Sequence, residues 1–232
     1  MNELGFQKKI EYEFQNVELL IKALTHSSYV NEGKLLGQAY NNERLEFLGD
    51  AIFDAIISEY LFNRLEAVEE GELTKMRASI VCERSLAECG NRISIGKYLR
   101  LGKGEENTGG RNRGSILADA MEAVIGATYL DGGWDAAKNL VLKLFETTIE
   151  SAILGKLHKD YKTDIQEKLQ SRGEADISYI IDKEEGPDHD KTFYINLSFN
   201  GKIIGSGSGR SKKEAEQNAA KQALERGGTF VF

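Results

Sequence analysis

The sequence predicts a multidomain chain, with an all-α N-terminal domain followed by a small α+β domain of order α-β-β-β-α. Two observations carry this. Apolar residues recur at helical spacing through about the first 155 residues. Beyond Gly155 the pattern changes to alternation, with an Asn200-Gly201 dipeptide between two alternating runs, the strongest short hairpin signal. The expected boundaries are 1–155 for the helical domain, 156–161 for a short polar linker and 162–228 for the second domain. A chain of 232 residues is long enough for two cores.

The helices follow from spacing. Asn41 to Leu65 carries Leu45, Leu48, Ile52, Ala55, Ile56 and Leu61, with Asn41 or Asn42 available as a cap. Gly71 to Arg92 is a second run, and Ser115 to Leu130 a third, stopped by Asp131-Gly132-Gly133. Trp134 to Leu154 makes a fourth. Gly102 to Gly114, rich in Gly, Asn and Arg, reads as an exposed loop. In the second domain a helix over Thr163 to Arg172 precedes strands at Ile177–Asp182, Phe193–Phe199 and Lys202–Ser208. A last helix spans Ser211 to Arg226, with Ser211 and Glu214 placed as a capping box.

Composition narrows the function classes. At 41% hydrophobic and 29% charged residues the chain is an ordinary globular protein, not a disordered one. No apolar run is long enough to span a membrane, and the N-terminus lacks the pattern of a signal peptide. Two cysteines, Cys82 and Cys89, cannot make a disulfide framework, so the expected setting is a reducing cytoplasm. They fall seven apart on one expected helix and read as buried thiols. His26 reads as a hydrogen-bonded structural histidine and Trp134 as a packing residue. The net charge of -7 taken alone argues against a nucleic-acid partner. The charge is uneven, however. Residues 161–228 hold 11 basic against 12 acidic side chains, and residues 1–160 hold 19 against 25.

That excess acid is patterned. Asn42-Glu43-Arg44-Leu45-Glu46-Phe47-Leu48-Gly49-Asp50 places acids at 43, 46 and 50, on one helix face. Leu45, Leu48, Ala51 and Ile52 run along the neighbouring face, which should be core. Asp119 and Glu122 share a face of another helix, which Ala118, Ala120 and Ala123 keep slim. Two acids from each of two packed helices would gather four carboxylates, an arrangement that a hard cation such as Mg²⁺ or Mn²⁺ relieves. Carboxylate-held Mg²⁺ is suited to phosphodiester hydrolysis. Spacing alone leaves another reading open, in which these acids pair with Arg44, Arg77, Arg111 or Arg113 on a solvated surface.

The second domain offers a complementary pattern. Thr163, Gln166, Glu167 and Gln170 form a hydrogen-bonding stripe on one helix, better suited to 2′-hydroxyls than to phosphates. Gly186-Pro187-Asp188-His189 links two strands, and Lys212-Lys213 begins the last helix, where cations oppose the helix dipole unless an anion is bound. One helix, one loop and one lysine-bearing helix end would match the grooves and phosphates by which duplex RNA is read. A solvated face and a charged cap would look the same.

These residues together resemble bacterial ribonuclease III. The resemblance rests on the nine-residue segment 42–50, on Ser115-Ile116-Leu117-Ala118-Asp119-Ala120-Met121-Glu122-Ala123, on Ala23-Leu24-Thr25-His26-Ser27-Ser28 and on Glu70-Gly71-Glu72-Leu73-Thr74. The second domain resembles a double-stranded RNA-binding domain in Thr163, Gln166-Glu167, Gly186-Pro187-Asp188-His189 and Ser211-Lys212-Lys213-Glu214-Ala215-Glu216. The resemblance implies an endoribonuclease that cuts both strands of duplex RNA by metal-dependent hydrolysis, leaving 5′-phosphate and 3′-hydroxyl ends with short 3′ overhangs. It implies processing of ribosomal RNA precursors and some messenger RNAs, with Mg²⁺ (or Mn²⁺) and no small-molecule cofactor. By position it makes Glu46, Asp50, Asp119 and Glu122 metal ligands, with Asp50 and Glu122 catalytic. It makes Glu43 and Glu70 supporting acids, and Phe47 an anchor of a homodimer interface. RNA contacts would come from Thr163, Gln166, Glu167, Gln170, Pro187, His189, Lys212 and Lys213, with Arg111 and Arg113 beside the second acidic motif. Glu216 stands where many such RNA-binding domains carry a lysine. A protein that only binds duplex RNA would be expected to lack some of the four acids. A small-substrate phosphohydrolase would leave the second domain without a task.

Overall fold

The computed structural model describes residues 3–33, 40–155, 161–170, 176–187 and 191–226. Packing divides the chain into two units, Met1–His158 and Lys159–Phe232. The first contains α1 (Glu3–Ile10), α2 (Val17–Ala23), α3 (Ser27–Glu32), α4 (Glu43–Arg64), α5 (Glu70–Val81), α6 (Glu83–Arg92), α7 (Lys103–Asn107) and α8 (Gly114–Ile153). Short 3₁₀ turns at Ile95–Lys97 and Gly110–Asn112 join the later helices.

Helix α8 is the core of this unit. Leu117, Met121 and Val124 are buried along its first half, and Val141, Phe145 and Ile149 along its second. Helix α4 packs on it with Leu45, Gly49, Phe53, Ile56, Ile57 and Leu61 turned inward. Phe53 meets Phe145 with ring centroids 4.6 Å apart. Removal of these side chains from water is the main stabilising contribution.

Four local expectations are corrected. The expected inward face of α4 is rotated: Leu48 and Ile52 are half-buried and Ala51 is exposed, because the buried stripe runs through Gly49 and Phe53 instead. The expected single helix over Gly71 to Arg92 is two helices. Cys82 is extended (φ -70°, ψ 154°), and its thiol and the Ser85 hydroxyl both donate to the Ser79 carbonyl left open by the break. The two cysteines therefore do not share a helix; Cys89 is buried and Cys82 only partly so. The expected loop at 102–114 contains α7 and a 3₁₀ turn. Finally, Asp131-Gly132-Gly133 does not end its helix. Only Gly133 leaves helical geometry (φ 77°, ψ -169°), producing a kink that a residue without Cβ accommodates. Asp131 instead ties down the N-terminal segment, accepting from Tyr12 Oη (2.8 Å), Gln15 N (2.9 Å) and Asn16 N (2.8 Å). Trp134 packs against the core as expected.

The second unit contains α9 (Tyr161–Gln170), β1 (Ile177–Glu185), β2 (Thr192–Phe199), β3 (Lys202–Gly209) and α10 (Lys212–Glu225). The strands form an antiparallel sheet in the order β1-β2-β3. Asn200 and Gly201 both take positive φ (48° and 78°), as a type I′ hairpin turn requires. Ile165 and Leu169 of α9 and Ala219, Ala220 and Ala223 of α10 pack with Leu197, Phe199 and Ile204 of the sheet. On β3, Gly205, Gly207 and Gly209 lie against α10 so closely that a Cβ on any of them would collide with backbone near Ala215 or Ala219. Ser211 caps α10 by accepting from Glu214 N (3.2 Å), while the Glu214 carboxylate takes Arg210 N (2.8 Å), one residue earlier than a capping box predicts.

Candidate functional site

Two glycines bring the acidic segments together. A Cβ on Gly49 would intrude on the Glu122 carbonyl, and one on Gly126 would intrude on the Leu45 carbonyl. The α4 and α8 backbones therefore touch where both carry carboxylates. Glu46, Asp119 and Glu122 are half-buried at this junction, and Asp50 is exposed at its edge.

Their electrostatics are dominated by burial and by one another. Burial raises the Glu122 carboxyl most, and Asp50, Glu46, Asp119 and Asp54 raise it further, to about 8. Glu46 is raised by burial and then by Asp119, Glu43 and Asp50. Asp119 is raised by burial and by Glu83, against an opposing pull from His26. The pairing of these four acids with Arg44, Arg77, Arg111 or Arg113 is not found among the described residues: the charged neighbours that act on Glu122 are all acids. Arg77 instead donates to Ser58 Oγ (3.1 Å) and pulls on Asp54.

Oxygen-only donors in a half-buried, mutually repelling group match a hard divalent cation and disfavour zinc. Among the described residues no three Asp, Glu, His or Cys side chains already converge as a metal-ligand set. The donor chemistry fits such an ion, and final convergence would need side-chain rotation.

Two further acids act on the cluster that the sequence reading did not single out. Asp54 is raised by burial and by Asp50, and Glu83, at the start of α6, acts on Asp119. Asp54 lies four residues past Asp50 and so continues the 43-46-50 ladder, a signal present in the spacing. Glu43 is exposed and acts on Glu46. Glu70 stands elsewhere: it accepts from Thr74 Oγ1 (2.9 Å) and lines a shallow groove of about 420 Å³ with Phe62, Leu73 and Arg77. Phe47 is 81% exposed, so it is not a core residue of this chain. Arg111 is committed to its own loop, donating to the Gly96 (3.0 Å) and Leu99 (2.8 Å) carbonyls and pairing with Glu106 (2.7 Å). Arg113 pairs with Glu105.

In the second unit, Thr163, Gln166 and Glu167 are exposed on α9 and Pro187 is exposed after β1. His189 and the Gln170 side chain lie outside the described residues. Lys213 is exposed at the start of α10, while Lys212 lies 3.9 Å from Glu184 and over the Phe193 ring. Glu216 is held by Lys162 at 2.6 Å, which joins α10 to α9.

The known proteins that this chain is similar to agree with that division. A Ribonuclease-III-like family model matches residues 16–148, and a Double-stranded RNA binding motif model matches residues 161–226. The chain belongs to the ribonuclease III family. Its similarity to Ribonuclease 3 of Clostridium acetobutylicum is 53% identity over 218 residues, covering 94% of each chain. With Ribonuclease 3 of Clostridium perfringens it is 50% identical over 232 residues, covering 100% of this chain and 97% of the other. Among solved structures, the nuclease domain of ribonuclease III from Campylobacter jejuni superposes with a TM-score of 0.58 at 43% identity, covering 63% of this chain and 97% of that one. That structure is described as showing flexibility in a region involved in dimer formation. Membership of the ribonuclease III family makes the chain an enzyme, and it accounts for an all-helical unit joined to a three-stranded sheet with two helices. No helix among the described residues is long and apolar enough to cross a membrane.

Proposed function

We propose that this protein cleaves double-stranded RNA by Mg²⁺-dependent hydrolysis, leaving 5′-phosphate and 3′-hydroxyl ends with short 3′ overhangs. The observation that carries the reading is the junction of α4 and α8, where burial and neighbouring acids push Glu46, Asp119 and Glu122 all towards protonation, and only His26 opposes this, at Asp119. Glu46, Asp50, Asp119 and Glu122 would hold the ion, with Mn²⁺ as a substitute. When bound, the ion supplies charge stabilisation for the phosphoryl oxygens and activation of the attacking water.

The chain's own groups do the rest. Burial keeps the Glu122 carboxyl largely protonated at neutral pH, so loading the site releases its proton. Glu43 adds negative charge beside Glu46. In the second unit Lys212 and Lys213 supply phosphate contacts, and Thr163, Gln166, Glu167 and Gln170 line the helix that would face 2′-hydroxyls. Pro187 and His189 belong to the connection that would enter the second minor groove. Arg111 and Arg113 bear on the reaction by bracing their loop rather than by free contact with RNA, because both guanidinium groups already have protein partners.

Phe47 and the groove holding Phe62, Leu73 and Glu70 are apolar surface on α4 and α5 that a second copy would cover, giving a homodimer with Glu70 near its interface. Ribosomal RNA precursors and some messenger RNAs in the cytoplasm are the proposed substrates. The deciding assay is cleavage of long duplex RNA with Mg²⁺ and with EDTA. Glu122→Gln should bind the duplex and fail to cut it. Full cleavage by that variant would overturn the site assignment.

A further inference from the structure

We propose that Lys162 and Glu216 are positioning residues for duplex recognition: their ion pair fixes the spacing between α9 and the lysine-bearing start of α10, and so favours duplex RNA over duplex DNA. The inference rests on the proposed reading in which α9 meets 2′-hydroxyls and Lys212 and Lys213 meet phosphates. Lys162 Nζ donates to Glu216 Oε2 at 2.6 Å, with both side chains partly buried. The same ammonium lies 4.5 Å from the centre of the Tyr179 ring on β1. Beside it, Lys221 of α10 lies 5.8 Å from the centre of the Tyr161 ring. Tyr161 and Lys162, the first residues of α9, are thus gripped by α10 and the sheet together.

The remaining contact of α9 has little direction. Ile165 and Leu169 pack with Ala219, Ala220 and Ala223, a smooth face of methyl groups. Hydrophobic burial is non-directional, so it holds α9 there without resisting a slide or a rotation. A charge-assisted hydrogen bond does resist them, because it is short and needs alignment.

Both partners stand beside the proposed contact residues. In helical rotation Glu216 falls between Lys212 and Lys213, one turn further into α10. On α9, Lys162 adjoins Thr163 and shares a face with Gln166. The pair therefore ties the hydrogen-bonding stripe to the lysines. An unpaired acid between those lysines would oppose phosphate, and Lys162 offsets that charge. Duplex RNA presents its minor groove and the phosphates across its major groove at a spacing set by A-form shape. B-form DNA presents different grooves and no 2′-hydroxyl.

Three variants test the spacing: Lys162→Met, Lys162→Arg and Glu216→Gln. Binding of each full chain to duplex RNA and to duplex DNA of the same sequence is measured in EDTA, below its melting range. Lys162→Met and Glu216→Gln should each bind the RNA about fivefold more weakly and the DNA within about twofold of the parent. Lys162→Arg keeps the charge and the ring contact, and should bind the RNA within about twofold of the parent. Parental RNA affinity in Lys162→Met overturns the proposal, and so does an equal loss for RNA and DNA, which the missing charge alone would cause. Tighter RNA binding by Glu216→Gln overturns it as well, because Glu216 would then face phosphate. A parent chain that binds both duplexes alike overturns instead the reading of α9 as the element that meets 2′-hydroxyls.

Discussion

Gly49 of α4 and Glu122 of α8 meet backbone to backbone, with no room for even a methyl group between them. This contact sets the distance between two acid-bearing helix faces. Gly126 repeats it against Leu45, one turn further along α8. The two acid-bearing faces come this close because Gly49 and Gly126 have no side chains between the backbones.

Gly49→Ala should therefore separate the two faces. The added methyl would press on the Glu122 carbonyl, which a helix cannot move alone. Overpacking of this kind costs about 1–3 kcal/mol. Cleavage should fall far more than stability, since the carboxylates lose their spacing. Duplex binding through the second unit should persist. Melting, gel-shift and cleavage assays on one preparation check this, and unimpaired cutting would show that the contact is not needed.

Glu122 makes the ion-free protein sensitive to alkali. Its folded value of about 8 lies above the ordinary 4.5, so the folded state binds the proton more tightly than the unfolded state does. The stability gained from that proton is fully present below about 4.5 and is lost as pH climbs through about 8. Glu122→Gln has no such proton to lose. Allowing for partial solvent screening, the difference amounts to about 1–2 kcal/mol, or roughly 2–8 °C in melting midpoint. In EDTA, the midpoint of the parent should fall relative to the variant between pH 5 and pH 8.5. Parallel curves would contradict the raised value.

The acid ladder was legible because carboxylates three and four apart share a helix face whatever surrounds them. The Asn200-Gly201 turn was legible because two successive positive φ angles favour those residue types. The break at Cys82 was not, since it lacks Gly or Pro and depends on two side chains answering the Ser79 carbonyl. The inward face of α4 was misjudged at Ala51 because a small apolar residue fits core and surface alike. The glycines of β3 signal a strand weakly, and only the approach of α10 explains them. The net charge of -7 misled when taken whole, because the acid excess lies in the helical part and the lysines lie at one helix start.

Lys212 and Lys213 should carry the salt dependence of duplex binding. Replacing both with Ala should lower the slope of log K against log salt by about two. The single changes should differ. Lys212 is already drawn towards Glu184 and the Phe193 ring, whereas Lys213 is exposed on the first turn, so Lys213→Ala should weaken binding more. An unchanged slope in the double variant would remove both from the interface.

Glu216 should act as a strut rather than as a repulsive charge facing RNA. Its carboxylate is occupied by Lys162, whose ammonium also lies 4.5 Å from the centre of the Tyr179 ring. Glu216→Lys would set two cations against each other between α9 and α10, costing about 1–2 kcal/mol. The new lysine should then add little affinity, because it arrives with a loosened α9. Melting of this variant beside duplex binding at several salt concentrations tests the point, and tighter binding at unchanged stability would refute it.

Phe47 gives the sharpest test of assembly. A ring 81% exposed contributes little to the stability of its own chain, so Phe47→Arg should change folding by no more than about 0.5 kcal/mol. If a second copy covers that ring, the same change places a charge in an apolar contact and should shift the chain from dimer to monomer. Sedimentation equilibrium reads the mass, and thermal melting confirms that the fold is retained. Cleavage of long duplexes should fall with the dimer fraction. A variant that sediments like the parent would place Phe47 outside any interface between copies.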